Sequence, residues 1–345
     1  MSGIAVYFGA LQIRWSSLHL FLGMIAAFSL TLALYRPKNR STAAVWAFFP
    51  LACLYGFLLG RSLHYYFNAE SYDSFASAMT DLSTGSYMLP AVLIGIGLAA
   101  VTVSALGLVS SGSRLLDFAA PGIYLFLAFV RLSALYNDSC RSKIIITAGL
   151  LQRLPFAVSA TDNAGNVTWR LATFFIEFIL LLIFTIVLLV FFFRDRTAPM
   201  KAPCSKNGNV FRLALVAYGA LEIIMDSTRN DSPLMHFRLL SKLNQWSAFI
   251  SFAQLFAAVS AICVIVFYSR MSIQANGFSW KHPVLWLAFL GSLFGIGYLG
   301  EYRVQRYGTQ KYLECYGLMA LSCILLFVSV CLMYRTCREQ EEYDY

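Results

Sequence analysis

The sequence predicts an all-α protein, a polytopic integral membrane bundle of about nine transmembrane helices. Hydrophobic residues make up 59% of the 345-residue chain, whereas charged residues make up only 12%. The apolar residues are gathered into long runs, each near the length of about 20 residues that a helix needs to cross a bilayer. Because backbone polar groups find no water within lipid, a run that spans the membrane must be helical.

Each long apolar run is one predicted span. The runs occupy residues 17–35, 43–60, 87–109, 114–135, 171–194, 210–226, 247–269, 283–300 and 313–334. Most of these runs hold few charged residues, which is typical of helices that face lipid. The run 114–135 is the least regular, because Asp117, Pro121 and Arg131 interrupt its apolar residues.

The basic residues of the short loops predict how the chain is oriented. Cytoplasmic loops of membrane proteins are enriched in Lys and Arg. Such residues occur in the loops 36–42, 195–209 and 270–282, which alternate with the loops 61–86 and 136–170 of mixed charge. This alternation predicts an N-terminus outside and a C-terminus in the cytoplasm. The long loop 136–170 would then be able to cover an outward-facing site.

The composition also excludes several kinds of partner and cofactor. The net charge of +9 is spread over many loops, and the chain lacks the basic stripe interleaved with aromatic residues that is typical of nucleic-acid binding. Contact with anionic lipid headgroups explains this charge better. The eight cysteines form no CxxC pair and the four histidines are scattered. The sequence therefore predicts no metal site and no cofactor.

Three arginines are candidates for a binding site because they lie at the same predicted ends of three spans. Arg61 closes the second span, Arg131 lies near the end of the fourth, and Arg229 follows the sixth. A charge near hydrocarbon is costly unless it faces a partner or a polar cavity. Arginine binds phosphate through two parallel hydrogen bonds, so the arginines predict a site for an anionic headgroup. The alternative is structural: they pair with acids or extend to the lipid headgroups.

Four acidic residues in or beside the spans are candidates for function or for pairing with these arginines. Glu222 and Asp226 are four residues apart near the end of the sixth span, so they share one helix face. Glu177 lies early in the fifth span, and Asp117 lies early in the fourth. Glu222 is expected to contact a cation within the bundle.

Several short motifs follow one another in order along residues 10–269. They are Ile13-Arg14-Trp15, Gly60-Arg61 with Tyr65, Tyr66, Asn68 and Tyr72, Asp117 with Pro121-Gly122, Arg131 with Asn137, Arg170 with Glu177, Tyr218-Gly219 with Asp226 and Arg229, and Gln245. In this order and spacing, the chain resembles the bacterial prolipoprotein diacylglyceryl transferases. The resemblance implies a membrane domain over residues 1–269. Residues 270–345 would add two transmembrane helices and an acidic C-terminal tail.

At four motif positions the chain departs from this family. Pro90 stands where the family has the histidine of a His-Gly-Gly-Leu-Ile-Gly motif, and Ser16 stands where it has a tyrosine. Ala134 replaces an asparagine, and Glu222 replaces an arginine. The loss of a histidine and the reversal of a charge are expected to impair lipid transfer.

The resemblance implies transfer of a diacylglyceryl group from phosphatidylglycerol, or another anionic phospholipid, to the cysteine thiol of a lipoprotein precursor. It also implies that the reaction takes place in the bacterial plasma membrane, with the signal peptide of the precursor as a further binding partner. Because the thiolate is the nucleophile, the reaction needs a base, for which Asp226 and Glu222 are the candidates. It also needs cations that hold the phosphate as it leaves. Headgroup binding is thereby assigned to Arg61, Arg131, Arg229 and Asn137, and support of the site to Asp117, Glu177, Tyr218 and Gln245.

Three functions are compatible with the sequence. The first is a divergent transferase that still moves a lipid group. The second is a non-catalytic family member that binds phospholipid or a lipoprotein precursor. The third is a transporter or a membrane-complex subunit, for which an internal repeat or broken helices around a midplane site would be typical.

Overall fold

The computed structural model describes residues 4–8, 11–36, 41–80, 87–136, 142–161, 167–197, 207–229, 250–307 and 311–337. These residues are mostly helical. The helices are α1 Trp15–Tyr35, α2 Ala43–Phe67, α3 Phe75–Thr80, α4 Leu89–Ala105, α5 Gly112–Ser133, α6 Gly149–Gln152, α7 Thr173–Thr197, α8 Asn209–Thr228, α9 Phe252–Asn276, α10 Lys281–Tyr307 and α11 Tyr312–Thr336. Two antiparallel hairpins pair β1 Ile4–Phe8 with β2 Leu11–Arg14, and β3 Ala157–Thr161 with β4 Val167–Leu171.

Seven of the described helices are long and apolar enough to cross a membrane, so the predicted number of nine is wrong. The other two predicted spans correspond to α4 and α8. The helix α4 has only 17 residues, because the chain turns at Gly107, whose φ of +72° ends the predicted span 87–109 early. The helix α8 has 20 residues, but it carries Arg212, Glu222 and Asp226, which lower its hydropathy. The prediction of a polytopic helical membrane bundle is confirmed.

Two pairs of helices approach closely through glycine. A Cβ atom at Gly95 of α4 would lie 2.6 Å from the backbone nitrogen of Gly56 in α2. A Cβ atom at Gly122 of α5 would lie 2.7 Å from the carbonyl oxygen of Ala27 in α1. Small residues allow such backbone contacts between helices in membranes. The irregular predicted span 114–135 thus lies mostly within one helix, α5, which contains Pro121 and packs tightly against α1 at Gly122.

The long helices form two buried cores, and α8 contributes to both. The first core combines α8 with α1, α2, α4, α5 and α7, and it includes Tyr218 and Leu221. The second core combines α8 with α9, α10 and α11, and it includes Val216 and Ile223. The two helices predicted after residue 269 thus pack against the rest of the bundle. The predicted acidic tail from residue 338 onward lies outside the described residues.

The start of α8 is fixed by Asp117, which belongs to α5. The carboxylate of Asp117 accepts hydrogen bonds from the backbone amides of Gly208, at 2.5 Å, and Phe211, at 2.9 Å. Amides at a helix start have no carbonyl partner in their own helix, and a negative charge is favourable there. Gly208 has a φ of +93°, a left-handed conformation that glycine adopts without strain.

The other end of α8 is fixed by two separate parts of the chain. The carbonyl oxygen of Thr228 accepts hydrogen bonds from the amide of Lys143, at 2.8 Å, and from the hydroxyl of Ser142, at 3.0 Å. The hydroxyl of Tyr316, in α11, donates to the carbonyl oxygen of Ser227 at 3.1 Å. Terminal carbonyls of a helix need such partners, so both ends of α8 have a defined position.

Replacement of Asp117 by alanine is expected to lower the free energy of unfolding by about 1–2 kcal/mol, because the amides at the start of α8 lose their acceptor. The variant Asp117→Asn retains one acceptor oxygen and should lose less. Thermal unfolding of the purified protein in detergent measures both changes. The partly exposed acid Glu314 provides the control, as Glu314→Gln. An unchanged unfolding temperature for Asp117→Ala would contradict this role.

Candidate functional site

A buried network of charged side chains is centred on Arg131, near the end of α5. The Nε atom of Arg131 donates to Oε1 of Glu177 in α7 at 2.6 Å, and its Nη2 atom pairs with Oε2 of Glu222 in α8. The same Nη2 atom lies 3.4 Å from the hydroxyl of Tyr218. Arg131, Glu177, Tyr218, Glu222 and Arg229 are called the charged network below, and their end of the bundle is called the site end.

Arg229 brings a second guanidinium group to Glu222. Its Nη1 atom lies 3.6 Å from Oε1 of Glu222, so two arginines converge on one carboxylate, as was expected of this residue. The backbone of Arg229 forms an antiparallel bridge with Ser142. With two arginines and two glutamates, the charged network has no net formal charge. This balance satisfies the requirement that buried charges be paired.

Residue spacing on α8 explains how the network is assembled. Tyr218 and Glu222 are four residues apart and therefore share a helix face, so the hydroxyl of Tyr218 donates to Oε2 of Glu222 at 2.9 Å. Tyr124 of α5 fixes this face, because its hydroxyl donates to the carbonyl oxygen of Ala214 at 2.5 Å. The ring of Tyr124 also meets that of Tyr218 edge to face, with centroids 6.2 Å apart.

A small cavity of about 10 Å³, bordered by α4, α8 and α9, lies beside Glu222. A volume of this size holds about one water molecule. Its polar lining comes from Tyr218, Glu222 and Ser260, and its remaining lining includes Pro90. Pro90 and Glu222 are two of the positions that depart from the family pattern. The structure thus brings two of these departures to the same cavity.

Arg61 is surrounded by different groups from those of the other two arginines. It is 1% exposed, and its guanidinium carbon lies 5.4 Å from the ring centroid of Tyr87 and 5.9 Å from that of Tyr72. Such cation–π contacts stabilise a cation away from water. The structure therefore brings Arg131 and Arg229 to one carboxylate, whereas it brings Arg61 to aromatic rings.

The other predicted site residues are placed as follows. Asp226 is buried on α8, one turn beyond Glu222, and is 4% exposed. Asp117, predicted as site support, lies at the opposite end of α8 from the charged network. Asn137 and Gln245 lie outside the described residues, so their predicted roles stay predictions.

Gln254 of α9 bonds to α8 and to Glu301 of α10, and sequence reasoning missed both residues. The Nε2 atom of Gln254 lies 3.1 Å from Oε2 of Glu301 and 3.3 Å from the carbonyl oxygen of Ile223, and it donates to both. Ser251 and Gln254 form a capping box at the start of α9, a pattern that the sequence displays as Ser-x-x-Gln. Glu301 was missed because it directly follows the predicted span 283–300, although it is buried within α10.

Loss of the Glu222 carboxylate is expected to destabilise the protein more than loss of its neighbouring hydroxyl. Glu222→Ala leaves two arginines with one glutamate, which should cost about 3–5 kcal/mol of unfolding free energy. Tyr218→Phe removes one hydrogen-bond donor and should cost about 1 kcal/mol. Thermal unfolding in detergent measures the difference, again with Glu314→Gln as the control. Equal unfolding temperatures for the two variants would argue against Glu222 as the central acceptor.

Comparison with known proteins assigns the chain to a family. A family model described as prolipoprotein diacylglyceryl transferase matches residues 3–270. No curated protein matches the chain. The family consists of membrane transferases of lipoprotein biosynthesis, which act on a phospholipid donor and a prolipoprotein. Because the match covers more than half of the sequence and the helices fit a multi-pass bundle, this protein belongs to the prolipoprotein diacylglyceryl transferase family.

Proposed function

We propose that the protein is a divergent transferase that moves a diacylglyceryl group from phosphatidylglycerol, or another anionic phospholipid, to the cysteine thiol of a lipoprotein precursor. The observation that supports this proposal is the convergence of Arg131 and Arg229 on Glu222. Two guanidinium groups that hold one carboxylate also have the charge and the donors to hold one phosphate. Membership of the family supports the reaction class.

In the proposed reaction, the lipid phosphate displaces Glu222 from the two arginines. The displaced carboxylate loses the cations that stabilise its charge and becomes a better proton acceptor. It takes the proton of the cysteine thiol, and the resulting thiolate attacks the glycerol carbon that bears the phosphate. A carbon–sulfur bond forms as the carbon–oxygen bond breaks. The electron pair leaves on the glycerol phosphate, whose charge Arg131 and Arg229 stabilise.

The other predicted residues have supporting roles in this proposal. Glu177 keeps its bond to Arg131 and orients the guanidinium group while Glu222 moves away. Asp226 is the second candidate base, one turn further along α8. Arg61 and Asn137 contact the lipid headgroup, and Gln245 supports the site. The alternation of basic and mixed-charge loops supports a location of the site end at the outer face of the bacterial plasma membrane.

A non-catalytic role is the second candidate function, and a specific observation favours it. Pro90 and Glu222 replace a histidine and an arginine of the family pattern, and both line the same cavity. The charged network is neutral, so it attracts a phosphate less than a cationic site would. In this role the Glu222 carboxylate stays paired with Arg131 and is not displaced by a phosphate. The protein then binds a phospholipid or a lipoprotein precursor without transferring the lipid.

Expression of this protein in cells depleted of their own transferase is expected to restore lipidation of a reporter precursor. The variant Glu222→Gln should lower the lipidation rate about 100-fold or more, the size of a general-base contribution. Arg131→Lys should likewise lower the lipidation rate, because lysine lacks the planar fork that bonds two oxygens at once. Glu314→Gln, at a surface pair with Arg303, should leave the rate unchanged. Full activity of a folded Glu222→Gln protein would rule out Glu222 as the base.

A wild-type protein that folds but lipidates nothing would support the second function. In that case the double variant Pro90→His, Glu222→Arg is expected to restore lipidation, since it returns both family residues to one cavity. The same reporter assay measures it, and thermal unfolding confirms that the variant is folded. A folded double variant that remains inactive would show that these two positions do not explain the loss of activity.

A further inference from the structure

The segment between α5 and α7 exposes many large apolar side chains, although it is not a membrane span. Leu150 is 78% exposed and Val167 is 65% exposed. Five further apolar residues of this segment are exposed, namely Ile145, Leu151, Leu154, Phe156 and Trp169. So many exposed apolar side chains in one segment outside a membrane span are unusual for a surface that faces water alone and indicate an interaction site.

Four of these residues fall within one short stretch, residues 149–156, which is called the apolar finger below. The finger begins with the helical turn of α6 and reads Gly-Leu-Leu-Gln-Arg-Leu-Pro-Phe. Leu150 and Leu154 are four residues apart, and Leu151 and Phe156 flank them. A single basic residue, Arg153, lies among these apolar side chains and is itself exposed.

Hydrogen bonds place the base of the finger at the level where a membrane span begins. The amide of Ala172 donates to the carbonyl oxygen of Phe156 at 2.7 Å, and Ala172 directly precedes the spanning helix α7. The Nε2 atom of Gln152 donates to the carbonyl oxygen of Ile146 at 2.9 Å. The same segment is bonded to the end of α8 through Lys143. The finger is therefore held beside the membrane at the site end.

The charge of the segment suits an anionic surface. Residues 142–171 contain the basic residues Lys143, Arg153 and Arg170 and a single acid, Asp162. Leucine and aromatic residues beside a basic residue are typical of peptides that lie in the boundary between headgroups and acyl chains. Basic residues near such a surface are attracted to anionic lipids.

We propose that the apolar finger inserts into the headgroup–acyl boundary of the leaflet at the site end, as a second membrane anchor that does not span the bilayer. Leu150, Leu151, Leu154 and Phe156 enter the apolar side of this boundary, while Arg153 bonds with anionic headgroups. The occupant of this apolar surface is thus phospholipid. The proposal depends only on the placement of the finger and holds for either candidate function.

Photocrosslinking with the full-length protein in phosphatidylglycerol-containing vesicles tests the proposal. A benzophenone amino acid is placed at Leu150, at Val187 in the exposed middle of α7, or at Asp73 in an exposed polar loop. The expected result is a phospholipid adduct at positions 150 and 187 but not at position 73. Crosslinking of position 150 to a polypeptide in native membranes would overturn the proposal in favour of protein docking. The absence of any adduct at position 150, with one present at 187, would also overturn it.

Substitution of Arg153 provides a second test of the proposal. With the photoprobe at position 150, Arg153→Gln should lower the yield of adducts in anionic vesicles about fivefold, the effect of about 1 kcal/mol per basic residue near a charged surface. Lys281→Gln, at the start of α10, is the matched control and should leave the yield unchanged. If both variants give the wild-type yield, the proposed contact between Arg153 and the headgroups is wrong.

Discussion

A guanidinium group buried in a lipid-facing bundle must keep its carboxylate partners, and the arrangement of the site end depends on this constraint at Arg131. Its partners Glu177 and Glu222 come from two other helices, so the pairing requirement holds α5, α7 and α8 together at one level. A buried ion pair adds little stability compared with apolar packing, but the loss of one partner is costly. The charges therefore determine mainly which helices meet. They contribute less to how strongly those helices associate.

The same constraint creates the ambiguity of the site. Glu222 neutralises Arg131 and approaches Arg229, so the carboxylate stabilises the fold in the position that an anionic ligand would need. In the proposed function, lipid binding requires the phosphate to replace the Glu222 carboxylate on the arginines. The outcome depends on how tightly the arginines bind the phosphate relative to the carboxylate that is already in place. If lipid binds here as proposed, the glutamate at position 222, where the resemblance implies an arginine, makes the carboxylate a competitor of the phosphate for the same two cations.

Hydropathy and charge predict the helical membrane fold and the pairing of Glu222, because both follow from the cost of polar groups in lipid. They do not predict the early end of α4, which depends on the left-handed turn at Gly107. The surroundings of Arg61 could not be predicted either, because helix periodicity gives the face of a residue but not the neighbouring helix. The buried position of Glu301 depends on contacts with α9, far away in the sequence.

The bonds at the two ends of α8 also set an order for biosynthesis. Asp117, at the start of α8, and Ser142 and Lys143, at its end, precede the helix in the chain, whereas Tyr316 follows it by almost ninety residues. A nascent chain in which α11 has not yet entered the membrane lacks this last bond. The helix α8 therefore acquires its full set of described end contacts only after α11 has been inserted beside it.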